Sequence, residues 1–162
     1  MSTHIGTKVI NAQPMTRQAY NDLRGWTVPA DENPADAGYL VEYLDGGAAN
    51  VPGYVGYVSW SPANVFEKAY RKTDRMTFGD ALIFLKDGKK LARAGWNGKG
   101  MFVYLVPAAS YPAQTAAAKS HFGDGALVPY NAYFAIKNAG ETVSTWVPSV
   151  NDALAEDWQI VD

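Results

Sequence analysis

The chain has 162 residues, 48% hydrophobic and 13% aromatic, enough apolar material for one ordinary domain or two small ones, which excludes a disordered tail or a collagen-like fibre. A net charge of -2 and a pI near 5.6 argue against coating duplex nucleic acid, where affinity rests on neutralising phosphates. Zero cysteines exclude disulfides and thiolate chemistry, and with only His4 and His121 as imidazoles no metal site, cofactor or histidine-based triad is expected. No run approaches the roughly 18 apolar residues that cross a bilayer, and the N-terminal MSTHIGTKVI lacks a leader's basic-then-apolar layout. The expectation is a protein with no membrane partner that stays where it is made.

In chain order, residues 4–14 place Ile5, Val9 and Ile10 in an alternating pattern and predict a short strand. Thr16 then caps a brief helix that Gly25 ends, and residues 26–38 form a polar, proline-bearing loop. GYLVEY predicts a strand with Tyr39, Val41 and Tyr43 on one face, and GYVSWS its returning partner. Ser61 and Pro62 suit the N-cap and first residue of a helix with Val65, Phe66 and Ala69 facing a core. The charged residues 71–75 have no apolar anchor, so a boundary is placed there, giving domains 1–73 and 74–162.

Beyond it, Thr77 and Asp80 form a capping-box start, with Phe78, Leu82 and Leu85 at helical spacing and Gly88 as the stop. KLAR and MFVYLV predict strands flanking the GWNGKG loop, and residues 111–125 a short alanine-rich helix with a glycine stop. Residues 129–149 read as a hairpin turning at NAG, and the chain closes with a helical turn capped by Ser149 and a strand from Trp158 to Val161. The fold class expected is α+β, as two small domains of a few antiparallel strands packed with one or two short helices.

Several clusters carry chemistry. Lys86, Lys89, Lys90, Arg93 and Lys99 are opposed only by Asp87 and suit phosphate, although lysines complementing a helix end give the same spacing. GWNGKG lacks the frame of a phosphate loop, yet its glycines let backbone approach a ligand beside Trp96, Asn97 and Lys99. A tight turn with a core tryptophan is the competing reading. Trp146 lies just before a helix start where Asp152 either accepts bonds from a ligand or completes the Ser149 cap. Trp158 is assigned to the core, and Tyr130 and Asn131 precede a strand. The pairs Asp31–Glu32 and Glu156–Asp157 read as solvated carboxylates. No nucleophile or general base presents itself, so an enzyme is not expected. In the first half, Tyr39, Tyr43, Tyr57 and Trp60 are contact candidates, about half of which alternation assigns to a core.

The series MTFGDALIFLKDGKKLARAGWNGKGMFVYLVPA, YPAQTAAAKSHFG, VPYNAYFAIK and STWVPSVNDALAEDWQIV resembles the phage Thoeris anti-defence family of the second type over about residues 76–162. The first half resembles another small phage-borne module of unnamed role, and its fusion departs from the family's stand-alone form. The resemblance implies a sponge in the cytoplasm of the infected bacterial host. Such a protein binds intact a cyclic or modified ADP-ribose signal, and in some members a cyclic di- or trinucleotide. It further implies a homo-oligomer, commonly a tetramer, with pockets where subunits meet. Carried onto the matching segments, with the ligand contacts inferred from side-chain chemistry, the ligand-binding residues would be Trp96, Asn97, Lys99 and Met101 of the glycine loop, Tyr130 and Asn131, and Trp146, Pro148 and Asp152.

Overall fold

A computed structural model describes residues 1–162, which pack as two units, Met1–Tyr70 and Arg71–Asp162. The first unit runs β1 (Ile10–Pro14), α1 (Arg17–Arg24), β2 (Gly38–Tyr43), β3 (Tyr57–Pro62) and α2 (Ala63–Ala69). Its three strands form an antiparallel sheet in the order β1-β2-β3. Tyr20 from α1 packs with Leu40, Val51 and Val58 to make the core. Helix α1 is bounded as its sequence dictates, since the Thr16 side chain accepts from the Ala19 amide and Gly25 turns left-handed at φ 65. The Trp26 amide then donates to Asn21 O at 2.8 Å, fixing the chain's exit.

Two expectations for this unit need correction. The first strand starts at Ile10, not at residue 4, because Ile10 pairs with Tyr43, the last residue of β2, and the partner ends there. Ser61 does not cap a helix: it pairs with Tyr39 in the ladder, and Pro62 becomes an N-cap without a side-chain bond. Helix α2 accordingly buries nothing fully. Val65 and Ala69 are exposed, and only Phe66 packs, stacked 4.1 Å from Tyr39.

The second unit runs α3 (Phe78–Lys86), β4 (Lys90–Arg93), β5 (Phe102–Val106), β6 (Ala109–Pro112), α4 (Ala116–Phe122), β7 (Leu127–Tyr130), β8 (Tyr133–Lys137), β9 (Val143–Trp146), α5 (Val150–Ala153) and β10 (Trp158–Val161). Five strands form an antiparallel sheet in the order β10-β4-β5-β8-β9. Helix α3 lays Ala81 and Leu85 against Leu91, Val103, Ile136 and Trp158, and this contact is the core. Thr77 and Asp80 exchange both capping-box bonds at its start.

Strands β6 and β7 pair as a separate ribbon that periodicity did not predict. Pro112 and Pro129, which lack a backbone donor, obscure both strands in the sequence. The β8–β9 hairpin turns over residues 138–142, where the left-handed residue is Glu141 rather than Gly140. No helix of the chain is long and apolar enough to cross a membrane.

Candidate functional site

Three indoles meet in the second unit. Trp96 comes from the glycine loop, Trp146 from the end of β9 and Trp158 from the start of β10. Their ring centroids lie 5.5 to 6.3 Å apart, edge to face. Phe78 and Phe134 pack edge-on against Trp146, and Met101 joins the same cluster. Edge-to-face pairs of this kind add to the area that the rings bury, so the cluster is a stabilising element in its own right.

Asp152 ties these pieces together. Its Oδ2 accepts from the Ser149 hydroxyl at 2.7 Å and the Ser149 amide at 3.1 Å, closing the α5 cap. Its Oδ1 accepts from Trp96 Nε1 at 3.2 Å and Arg93 Nη1 at 3.0 Å, while its backbone carbonyl accepts from Trp158 Nε1 at 2.9 Å. One residue thus satisfies two of the three indole donors. Burial pushes the Asp152 carboxyl upward, but the bonds from Ser149, Arg93 and Trp96 outweigh it and hold the group below its ordinary value.

Arg93 continues the network to Asp157, donating from Nε to Oδ1 at 2.7 Å, and Asp157 Oδ2 accepts the Gly95 amide at 2.8 Å. The Arg93 guanidinium lowers the Asp157 carboxyl, with burial opposing and the Gly95 amide assisting. Asp157 in turn raises Arg93. A side chain at position 95 would meet Asp157 Oδ2 at 2.9 Å, so glycine is what lets the loop close onto that carboxylate.

Residues 76–161 match a family model described as the Thoeris anti-defense 2-like domain. The chain belongs to this family. It is 40% identical over 90 residues to "Thoeris anti-defense 2" of Bacillus phage SP01, a match covering 54% of this chain and 96% of that protein.

Within the Thoeris anti-defense 2-like domain, Trp96, Met101, Trp146 and Asp152 are brought into one cluster. Asn97 and Lys99 are exposed on the loop that carries Trp96, make no hydrogen bond within the protein, and so keep their polar groups available. Pro148 is half-buried in the link between β9 and α5. Tyr130 and Asn131 are exposed at the end of β7, and Tyr130 meets Tyr111 of β6 edge-on at 5.8 Å, within the ribbon.

The structure corrects the reading of the basic stretch: Arg93 is bound to two carboxylates, and Lys90 lies over the Phe102 ring at 5.4 Å. Lys86, Lys89 and Lys99 remain exposed. The reading of the acid pairs also changes. Glu156 is exposed but Asp157 is a partner of Arg93, and Glu32 pairs with Arg17. Sequence reasoning missed Arg93 and Asp157 as anchors of the site. The one available signal was register, because Arg93 lies opposite Trp158, next to Asp157, only once β4 and β10 pair.

Proposed function

We propose that this protein is an anti-defence sponge that captures, without cleaving it, a small cyclic nucleotide signal of the ADP-ribose type and so blocks Thoeris immunity in the host cytoplasm. Membership of the Thoeris anti-defense 2-like family supports the defence context. The observation that carries the sponge reading is the state of the two carboxylates bound to Arg93. Asp152 and Asp157 have every oxygen engaged by protein donors, which suits a rigid frame and leaves neither as a general base. Beside that frame, Asn97 and Lys99 offer an amide and a cation, the groups that pair with a base edge or ribose and with a pyrophosphate.

Capture of a signal at submicromolar concentration needs a nanomolar Kd, about -12 kcal/mol. That strength calls for a site enclosing most of the ligand. A homo-oligomer, a tetramer in this reading, supplies the enclosure where copies meet. The exposed Val147, Val150 and Leu154 around α5 provide apolar surface for that contact. Cyclic di- and trinucleotides offer the same bases and phosphates and are the second ligand class.

The test incubates the protein with cyclic ADP-ribose isomers and cyclic dinucleotides, removes free ligand, denatures the complex and identifies what is released by mass spectrometry. Recovery of unaltered nucleotide is expected. A converted product would make the protein an enzyme, and an empty protein would end the reading. Because Trp96 and Trp146 are packed, their removal confounds binding with folding. Lys99→Ala and Asn97→Ala are the cleaner variants, each expected to weaken capture about tenfold or more with thermal stability unchanged.

A further inference from the structure

The first unit contains a cleft of about 420 Å³ between α1, the loop after it and β3. That volume lies in the range of small-molecule sites. Its walls are the rings of Tyr20, Trp26 and Trp60, and they are held in place. The Trp60 Nε1 donates to Met15 O at 2.9 Å, the Trp26 amide is bonded to Asn21 O, and the Gln18 and Arg17 amides bond to Pro34 O and Asp36 O across the loop. Trp26 is nevertheless 52% exposed, so part of its ring is open to solvent at the cleft.

The polar side chains of the cleft are those of Arg17, Asn21, Thr27 and Glu32, beside the Tyr20 hydroxyl and the two indoles. Asn21 is only 9% exposed; its Nδ2 donates to Arg17 O, but its Oδ1 accepts no bond from the protein. Glu32 gives Oε2 to Arg17 Nη1 at 2.6 Å and keeps Oε1 free. Cations are already placed, with the Arg17 guanidinium 4.4 Å over Trp60 and that of Arg24 4.1 Å over Trp26. Of the charged groups that line the cleft, Arg17 is paired with Glu32, which leaves the cleft neutral overall. A cationic ligand would meet the Arg17 guanidinium that lines the cleft, and an anionic one the Glu32 carboxylate. What fits is a neutral, flat ring that lies against the Trp26 ring on the side away from Arg24, which is not part of the cleft wall, and donates N–H bonds to Asn21 Oδ1 and Glu32 Oε1.

We propose that this cleft is a second binding site, separate from the tryptophan cluster, for an amino-bearing nucleobase presented by a nucleoside or a single strand. The test uses the full chain with labelled indole N–H groups observed by NMR. Adenosine or guanosine is expected to move the Trp26 and Trp60 signals at submillimolar concentration. Trp26→Ala should weaken binding about tenfold, the usual effect of losing one stacked ring. Trp26→Leu, which keeps an apolar contact to Tyr20, should do the same if the alanine variant is unstable. Purine riboside, which lacks the amino group, should bind at least tenfold more weakly because Asn21 Oδ1 then receives no donor from the ligand. Tighter binding of a single-stranded oligoadenylate than of adenosine identifies a strand as the source, and equal binding the free nucleoside. Unmoved Trp26 and Trp60 signals at millimolar nucleoside, shifts confined to Trp96 and Trp146, or equal binding of purine riboside would each overturn this site while leaving the sponge reading standing.

Discussion

Asp152 shows how one side chain organises a site by being fully used. Replacing it with alanine strands the Trp96 indole donor and the Ser149 amide at once and leaves Arg93 with Asp157 as its one carboxylate. The expected loss is about 2–4 kcal/mol, read by chemical denaturation. Its protonation has a related consequence. Asp152 and Asp157 have folded-state values below their unfolded ones, so the stability they contribute is complete above the ordinary carboxylate range, about pH 4, and is lost as pH falls through the folded values. Melting followed from pH 7 downward should therefore fall more steeply in the wild type than in Asp157→Asn, and parallel curves would contradict the assignment. At this scale the sequence was partly legible. Trp158 reads as core from its place in a terminal strand, and Ser149 with Asp152 reads as a cap from spacing alone. Arg93 and Asp157 are 64 positions apart and look like ordinary surface charges until strand pairing brings them together.

Elements with local boundary chemistry were the readable ones. Helices α1 and α3 start at Thr16 and Thr77 because a hydroxyl there satisfies an otherwise orphaned amide, a rule that needs no tertiary information. Strand ends depend on the partner, which is why β1 is shorter than its pattern and β3 continues through Ser61. The same dependence makes Gly56 critical. A Cβ there would sit 1.9 Å from the Tyr43 carbonyl oxygen, a backbone atom that cannot move without breaking the β2–β3 ladder. Gly56→Ala should destabilise the first unit by more than about 3 kcal/mol, detected as loss of the dispersed Tyr20 and Trp60 NMR signals. By contrast, a Cβ at position 98 would strike the Sδ of Met101, the mobile end of a flexible side chain, so that loop tolerates change at lower cost.

For the molecule as a whole, the α+β class follows from short antiparallel strands interleaved with capped helices, and it was legible because both signals are local. The β6–β7 ribbon was not, since its pairing spans the helix between its strands and each strand contains proline. At the start of the second unit, residues 71–75 are exposed and lie outside any helix or strand. Limited trypsin digestion should cut first after Arg71, Lys72 or Arg75 and leave a C-terminal fragment that resists further cleavage. A first cut inside residues 78–161 would contradict the division. The tryptophan cluster has an optical consequence as well. Three indoles at 5.5 to 6.3 Å with planes 72° to 75° apart have coupled transition dipoles, so the folded domain should display an exciton couplet in circular dichroism. A bound molecule that tilts Trp96 or Trp146 would change that couplet, giving the protein an intrinsic, label-free signal of occupancy.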